Sequence, residues 1–194
     1  MEEISKIDDK SIIHSELENV KNYENEFYKK LWLLNGLHLQ LAYYGLANGH
    51  TFIHEVIESK DGREFAKLSV SSLAEAYALF SQSNENLDEF TNTIIDRFAL
   101  PEIKDEVVRV ARNPKIKFSK DERFEYPLRL LISHDKNIDA FRKILDIVTS
   151  GNYQQVEGFS NFKEDVLEKG KSNIYNDFWE LENYSKSYIE RLGS

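Results

Sequence analysis

Leu17, Val20, Tyr23, Phe27, Leu31, Leu34, His38 and Leu41 follow one another at steps of three or four residues. That spacing returns side chains to one flank of an α-helix and is incompatible with the two-residue alternation of a strand. The stripe predicts a long helix from Glu16, with a bend at Asn22–Glu24. Its end falls near Gly45–Gly49, where Ala47-Asn48-Gly49 supplies helix-stopping residues. Three prolines and eight glycines in 194 residues leave few places where a helix must stop.

The pattern recurs downstream. Thr51 caps a short helix with Glu55 in its first turn and Ile53, Val56 and Ile57 on one face, and Asp61-Gly62 breaks it. Phe65 to Gln82 forms the next helix. Leu87–Phe98 follows, with Phe90, Ile94, Ile95 and Phe98 inward. Pro101 opens a segment through Ala111 with Ile103, Val107 and Val110 inward, and Asn113-Pro114 ends it. Lys115–Lys120 reads as irregular or briefly extended. A helix capped by Asp121 runs to Ile132 with a kink at Pro127, and another covers Lys136–Val148. Ser160 and Ser172 cap the last two helices, the final one aligning Ile174, Phe178, Leu181 and Tyr188. The expectation is an all-α, multihelical single domain over 16–194, preceded by an arm or entering strand over 1–15.

Composition narrows the function. A formal net charge of −9 argues against wrapping nucleic acid, which relies on surplus clustered cation. The chain has no cysteine, so thiolate catalysis, disulfides and zinc–thiolate sites are excluded. No apolar run reaches the roughly 18 residues of a membrane helix. Met1-Glu2-Glu3-Ile4 lacks the basic start of a signal peptide, so the cytoplasm is the expected compartment. No two glycines form a Gly-x-Gly pair, so the chain carries no phosphate-cradling dinucleotide loop of its own.

One segment carries chemistry: Lys30-Leu31-Trp32-Leu33-Leu34-Asn35-Gly36-Leu37-His38. At about 100° per residue, Asn35 lies about 140° and His38 about 80° from Lys30, within one side of a helix. A mid-helix Gly36 costs about 1 kcal/mol relative to alanine, which makes sense where something must approach the backbone closely. Lysine, asparagine and histidine together suit oxidation of a secondary alcohol. A lysine whose pKa is drawn down by burial takes the hydroxyl proton, and the other two hold the reacting oxygen. The plain alternative is an exposed charge, a polar cap and a satisfied core histidine on an amphipathic helix.

The spacing Lys-x4-Asn-x2-His, within Lys30–Gly45 and followed by Gly49-His50-Thr51-Phe52-Ile53-His54-Glu55, resembles the active-site signature of the polyol-specific long-chain dehydrogenase/reductases, the mannitol dehydrogenase family. A second block, Arg97-Phe98 with Ile103–Pro114, Lys117-Phe118-Ser119 and Glu122-Arg123, resembles the mannitol-1-phosphate 5-dehydrogenase branch in order and spacing. The likeness covers Glu16 to Leu131. It implies a helical C-terminal catalytic domain in which Lys30 is the general base and Asn35 and His38 position the reacting oxygen. It further implies NAD or NADP held mainly by a Rossmann domain that this chain lacks, no metal, and a sugar alcohol or its phosphate as substrate. On that reading the chain is a fragment or half of a split enzyme. Three positions depart from the family pattern. Leu37 replaces glycine or alanine, which would crowd the pocket; Glu122 replaces aspartate; and Ile116 replaces a basic residue.

Arg109, Arg112, Lys115, Lys117, Lys120 and Arg123 form a basic stretch in an otherwise acidic protein. They read either as an anion pocket, since arginine and lysine grip phosphate through charge-assisted hydrogen bonds, or as a solvated loop. The resemblance favours substrate binding by Lys117 and Arg123, with Arg112 divided between that role and capping its helix. His50 and His54 have helical zinc spacing but no third ligand, and read as a helix-start pair near solvent. Tyr175, Phe178, Trp179, Tyr184 and Tyr188 read as helix packing. A reading of another class stands beside the enzyme: a non-catalytic helical binding or scaffold protein that keeps the fold.

Overall fold

A computed structural model describes residues 20, 22–181 and 190–193. The arm or strand expected over 1–15, and Tyr184 and Tyr188, lie outside these. Among the described residues the regular structure is helical, apart from one isolated antiparallel bridge between Phe52 and Glu106. No described helix is long and apolar enough to cross a membrane.

The long first helix, α1, is helical from 22 to 47. It is α-helical over 22–29, π-helical over Lys30–Gly36 and α-helical again over Leu37–Ala47. The expected single stripe is only part of its surface. In Leu37–Gly45 every residue except His38 is buried, including Gln40, whose Oε1 accepts from the Ser69 hydroxyl at 2.7 Å. A helix apolar on all sides belongs at the centre of a fold, with others packed around it. Conversely Val20, Tyr23 and Phe27, inward by periodicity, are 64%, 76% and 51% exposed. The stripe is continuous in sequence but is covered only beyond its first turns.

Around α1 stand α2 (Ile53–Glu58), α3 (Lys60–Ser81), α4 (Asp88–Phe98), α5 (Val107–Ala111), α6 (Pro114–Lys117), α7 (Glu125–Ser133) and α8 (Asp139–Ser150). Two short helices, α9 (Phe159–Phe162) and α10 (Lys171–Asn173), each continue as a π-helical turn, Lys163–Leu167 and Ile174–Phe178. The second half of α1 packs against α2, α3, α5 and α8. Its approach to α2 and α5 is possible because Gly45 has no side chain; a Cβ there would lie 2.9 Å from Val56 and 2.8 Å from Val107.

Several boundaries differ from the sequence reading, each for a local reason. Phe52, not Thr51, precedes α2. Glu55 Oε2 accepts from the backbone of both Thr51 (2.7 Å) and Phe52 (3.0 Å), so one carboxylate satisfies two orphan donors. The break before α3 comes at Ser59, whose hydroxyl accepts from Gly62 N at 3.1 Å, and the chain is helical through Asp61-Gly62. Phe90 and Ile103 are each 37% exposed rather than inward. Pro101–Ile103 is a 3₁₀ turn, ended by Lys104 in the left-handed region (φ 49°), so α5 starts late. Lys115–Lys117 is helical, because Asn113 (φ 56°) reverses the chain and Pro114 then stands at a first-turn position. Pro127 lies in the first turn of α7 and kinks nothing. Gly158 and Gly170, not Ser160 and Ser172, precede α9 and α10.

Candidate active site

The π-helical turn falls on the segment that holds Lys30, Asn35 and Gly36. Leu37 N–H bonds to Trp32 O, an i→i+5 closure, and to Leu34 O. Isolated π turns inside α-helices often mark functional positions. Asn35 and Lys30 both lie in this turn, yet they line different cavities.

Gly36 is where another segment meets α1. A Cβ on it would lie 2.9 Å from the backbone carbonyl of Arg123. The loop that carries Arg123 is held in place by buried rings. Phe118 and Phe124 are 2% and 0% exposed and pack 4.7 Å apart, and the Trp179 indole donates to Phe118 O at 2.6 Å. Trp179 and Tyr175 are buried and Phe178 half-buried, as the helix packing expected of them requires; of the three, Trp179 meets the loop.

Asn35, His38 and Leu39 of α1, Arg109, Val110 and Arg112 at α5, Lys117 of α6 and Arg123 line one cavity of about 130 Å³. Five residues read from sequence as site residues (Asn35, His38, Arg112, Lys117 and Arg123) thus line one cavity, joined by Arg109, which lay in the matched block and the basic stretch but was not read as a site residue. The stretch divides: Lys115 pairs with Asp165 at 2.6 Å and Lys120 pairs with Glu180, both on the outer surface. Arg123 Nε meets Glu122 at 3.1 Å, and Arg109 is held by Asp105. Arg112 stands at the C-cap position of α5, makes no side-chain hydrogen bond among the described residues and lines the cavity, so both of its expected placements hold. Lys117 Nζ donates to Val110 O at 2.6 Å. Burial, then the charges of Arg123, Arg112 and Arg109, lower its pKa to about 8.

Lys30 lies apart from this cavity. It is exposed, not buried as the sequence reading expected, and lines a separate cavity of about 450 Å³ with Glu26, Lys29, Leu34, Phe90, Thr93, Ile94 and Arg97. Its neighbour Lys29 is tied down. Burial opposes the Lys29 charge, but the Glu85 carboxylate at 2.6 Å outweighs it and raises the pKa. Lys30 makes no ion pair or hydrogen bond among the described residues.

His38 stacks on Phe98, with ring centroids 4.5 Å apart at 24°, and its Nε2 lies 3.3 Å from Asp105 Oδ2. Burial lowers its pKa to about 4; Asp105 opposes that shift, and Arg109, Lys117 and Arg97 add to it. The ring is therefore neutral near pH 7. Asp105 and Phe98 were not read as site residues. The signals present were the i,i+4 Asp105–Arg109 spacing and the Phe98 beside Arg97, but neither says which way a side chain points.

Leu37 is fully buried and lines neither cavity, so it does not crowd them. Ile116 is 63% exposed. His54 stacks on Phe52 at 5.5 Å, and no group of three metal-ligating side chains occurs among the described residues.

Comparison with known proteins follows the same segment. The sequence model of the mannitol dehydrogenase C-terminal domain matches residues 19–160, extending beyond the Leu131 limit read from motifs. A mannitol-1-phosphate 5-dehydrogenase of Clostridium acetobutylicum is 36% identical over 161 residues, covering 81% of this chain and 39% of that protein. One from Thermoanaerobacter pseudethanolicus is 39% identical over 118 residues, covering 58% of this chain and 29% of its own length. The solved structure of Pseudomonas fluorescens mannitol 2-dehydrogenase, in ternary complex with NAD and D-mannitol, superposes with a TM-score of 0.63 at 18% identity. It covers 87% of this chain and 37% of the other. The chain thus spans two fifths or less of these relatives.

Proposed function

The chain belongs to the mannitol dehydrogenase C-terminal domain family, and from that premise we propose that it is the substrate-binding and catalytic part of an NAD(P)-dependent oxidoreductase. The reaction assigned to it interconverts a sugar alcohol phosphate (mannitol 1-phosphate) and a keto sugar phosphate (fructose 6-phosphate). The observation that carries this reading is the shared cavity. Asn35 and His38 line it together with Arg109, Arg112, Lys117 and Arg123.

That cavity favours a phosphate ester over a free polyol. Of the four cationic side chains around about 130 Å³, Arg109 and Arg123 are paired with Asp105 and Glu122, while Arg112 and Lys117 have no carboxylate partner among the described residues, and a phosphate offers three strong acceptor oxygens to them. A hexuronate, with one planar carboxylate, engages fewer of them.

The separate cavity at Lys30 suits the reactive end of the cofactor. Leu34, Phe90 and Ile94 give Lys30 an apolar neighbour fit for a flat, weakly polar ring. The remainder of a dinucleotide needs a glycine-rich turn, which this chain does not have. That role falls to a Rossmann domain, assigned to the length of the relatives that this chain does not span. When bound, the nicotinamide supplies the hydride acceptor in oxidation and the hydride donor in reduction.

The residues of this chain handle the proton and the oxygen. Lys30 takes the proton of the hydroxyl whose carbon is oxidised, and returns it when the keto sugar is reduced. Asn35 donates its amide N–H to the oxygen as charge builds there. His38 stays neutral beside it and adds no charge to a wall that already holds four cations. The cation cluster anchors the remote phosphate, so binding energy from the non-reacting end holds the hydroxyl near Lys30.

The test is kinetic. In a protein joining this domain to its dinucleotide-binding domain, Lys30→Ala is expected to lower kcat by roughly 10²–10⁴-fold with little change in KM, as for loss of a general base. A loss below tenfold would remove Lys30 from that role.

A further inference from the structure

Asp105 is delivered to the site by a rigid piece of backbone. Its carbonyl accepts from Ile53 N–H at 2.9 Å, and two residues on, Val107 N–H bonds to Thr51 O at 3.0 Å. Between them Glu106 forms the one β-bridge among the described residues, with Phe52, and the left-handed Lys104 turns the chain just before. The side chain therefore has little freedom. Its two oxygens have separate neighbours: Oδ1 accepts from Arg109, and Oδ2 faces His38 Nε2 at 3.3 Å.

His38 is equally confined. Its ring lies flat on Phe98, and Nε2 is sealed from solvent without an aligned partner. A buried N–H needs an acceptor, and Asp105 Oδ2 is the acceptor at hand. Because burial keeps the imidazole neutral, one ring nitrogen carries a proton and the other a lone pair. A carboxylate only accepts. It selects the ring form with the proton on the nitrogen facing it. Nδ1 has no hydrogen bond among the described residues.

We propose that Asp105 is the positioning residue of His38: its carboxylate holds the imidazole as the Nε2–H tautomer and leaves Nδ1 as an acceptor for a hydroxyl of the bound substrate. Only the last clause rests on the function proposed above; the tautomer is a property of the chain itself. The arrangement gives Asn35 and His38 complementary tasks. The amide donates to the reacting oxygen, and the imidazole accepts from a substrate hydroxyl.

The test is a long-range ¹H–¹⁵N correlation spectrum of the chain's five histidines near neutral pH, with His38 assigned by its absence in His38→Gln. Wild type is expected to show His38 as a single Nε2–H tautomer. Asp105→Asn retains that pattern, because an amide oxygen accepts the same N–H. Asp105→Ala loses it, giving a mixture or the Nδ1–H form. A wild-type His38 protonated on Nδ1 overturns the proposal whether or not the variants fold, and so does an unchanged spectrum in a folded Asp105→Ala. Neither readout uses substrate or turnover. A failure of Lys30→Ala to affect catalysis therefore leaves the tautomer assignment standing, and the reverse also holds.

Discussion

Lys117 and Lys30 show how position decides what a lysine can do. Lys117 is half-buried; that burial, and then the arginines around it, lower its pKa to about 8, yet its ammonium still donates to Val110 O. The sign follows directly: Lys117 is charged below about pH 8 and loses its charge above it. A phosphate ester is already doubly ionised there, since its second pKa is about 6. Affinity for mannitol 1-phosphate is therefore expected to weaken as pH rises from about 7.5 to 9.5, and Lys117→Met to flatten that slope while weakening binding throughout. Titration calorimetry across the range checks it; equal slopes in the two proteins would place the titrating charge elsewhere. Stability responds in the opposite sense. The unfolded chain holds the Lys117 proton up to a higher pH, so this residue's cost to the fold eases as pH climbs from about 8 toward its ordinary value of 10.5.

At the scale of elements, the π turn at Lys30–Gly36 and the contact at Gly36 register α1 against the Arg123 loop. Gly36→Ala sets two effects against each other. Helix propensity favours alanine by about 1 kcal/mol. Against it, the new Cβ would meet backbone at 2.9 Å, and backbone cannot swing aside as a side-chain tip can. Overpacking of this kind costs about 1–3 kcal/mol, so a net loss of stability is expected. A lowered melting temperature together with weaker phosphate-ester binding is the expected pair of results. A more stable variant with unchanged binding would show that the loop is not registered through this contact. Sequence made the helices legible because apolar spacing reports on local geometry. It did not show the π turn, since widening a helix by one residue leaves little trace in a pattern of steps of three and four.

Across the whole molecule, the all-α class was legible in apolar spacing, and Asn35, His38, Arg112, Lys117 and Arg123, singled out through the family resemblance, line one cavity while Lys30 lines another. Other features depend on tertiary contacts that no spacing encodes. Leu37, suspected of crowding the pocket, points into the core because the second half of α1 is surrounded on every side. Phe90, periodic with the core-facing residues of α4, instead lies under Lys29 at 4.9 Å and walls the cavity beside Lys30. Asp105 reaches His38 because the Thr51–Ile53 backbone holds its segment in place.

The phosphate of a phosphorylated polyol is the ligand proposed for the cavity between α1 and the Arg123 loop. Comparing the affinity of the chain for mannitol 1-phosphate and for mannitol by calorimetry, in wild type and in the Lys117→Ala/Arg123→Ala double variant, tests it most directly. Charge-assisted hydrogen bonds of about 1.5–3 kcal/mol each correspond to a preference of at least about tenfold for the phosphate ester, expected to vanish in the double variant. Equal affinity for the two compounds in wild type, or a preference that survives the loss of both cations, would contradict it.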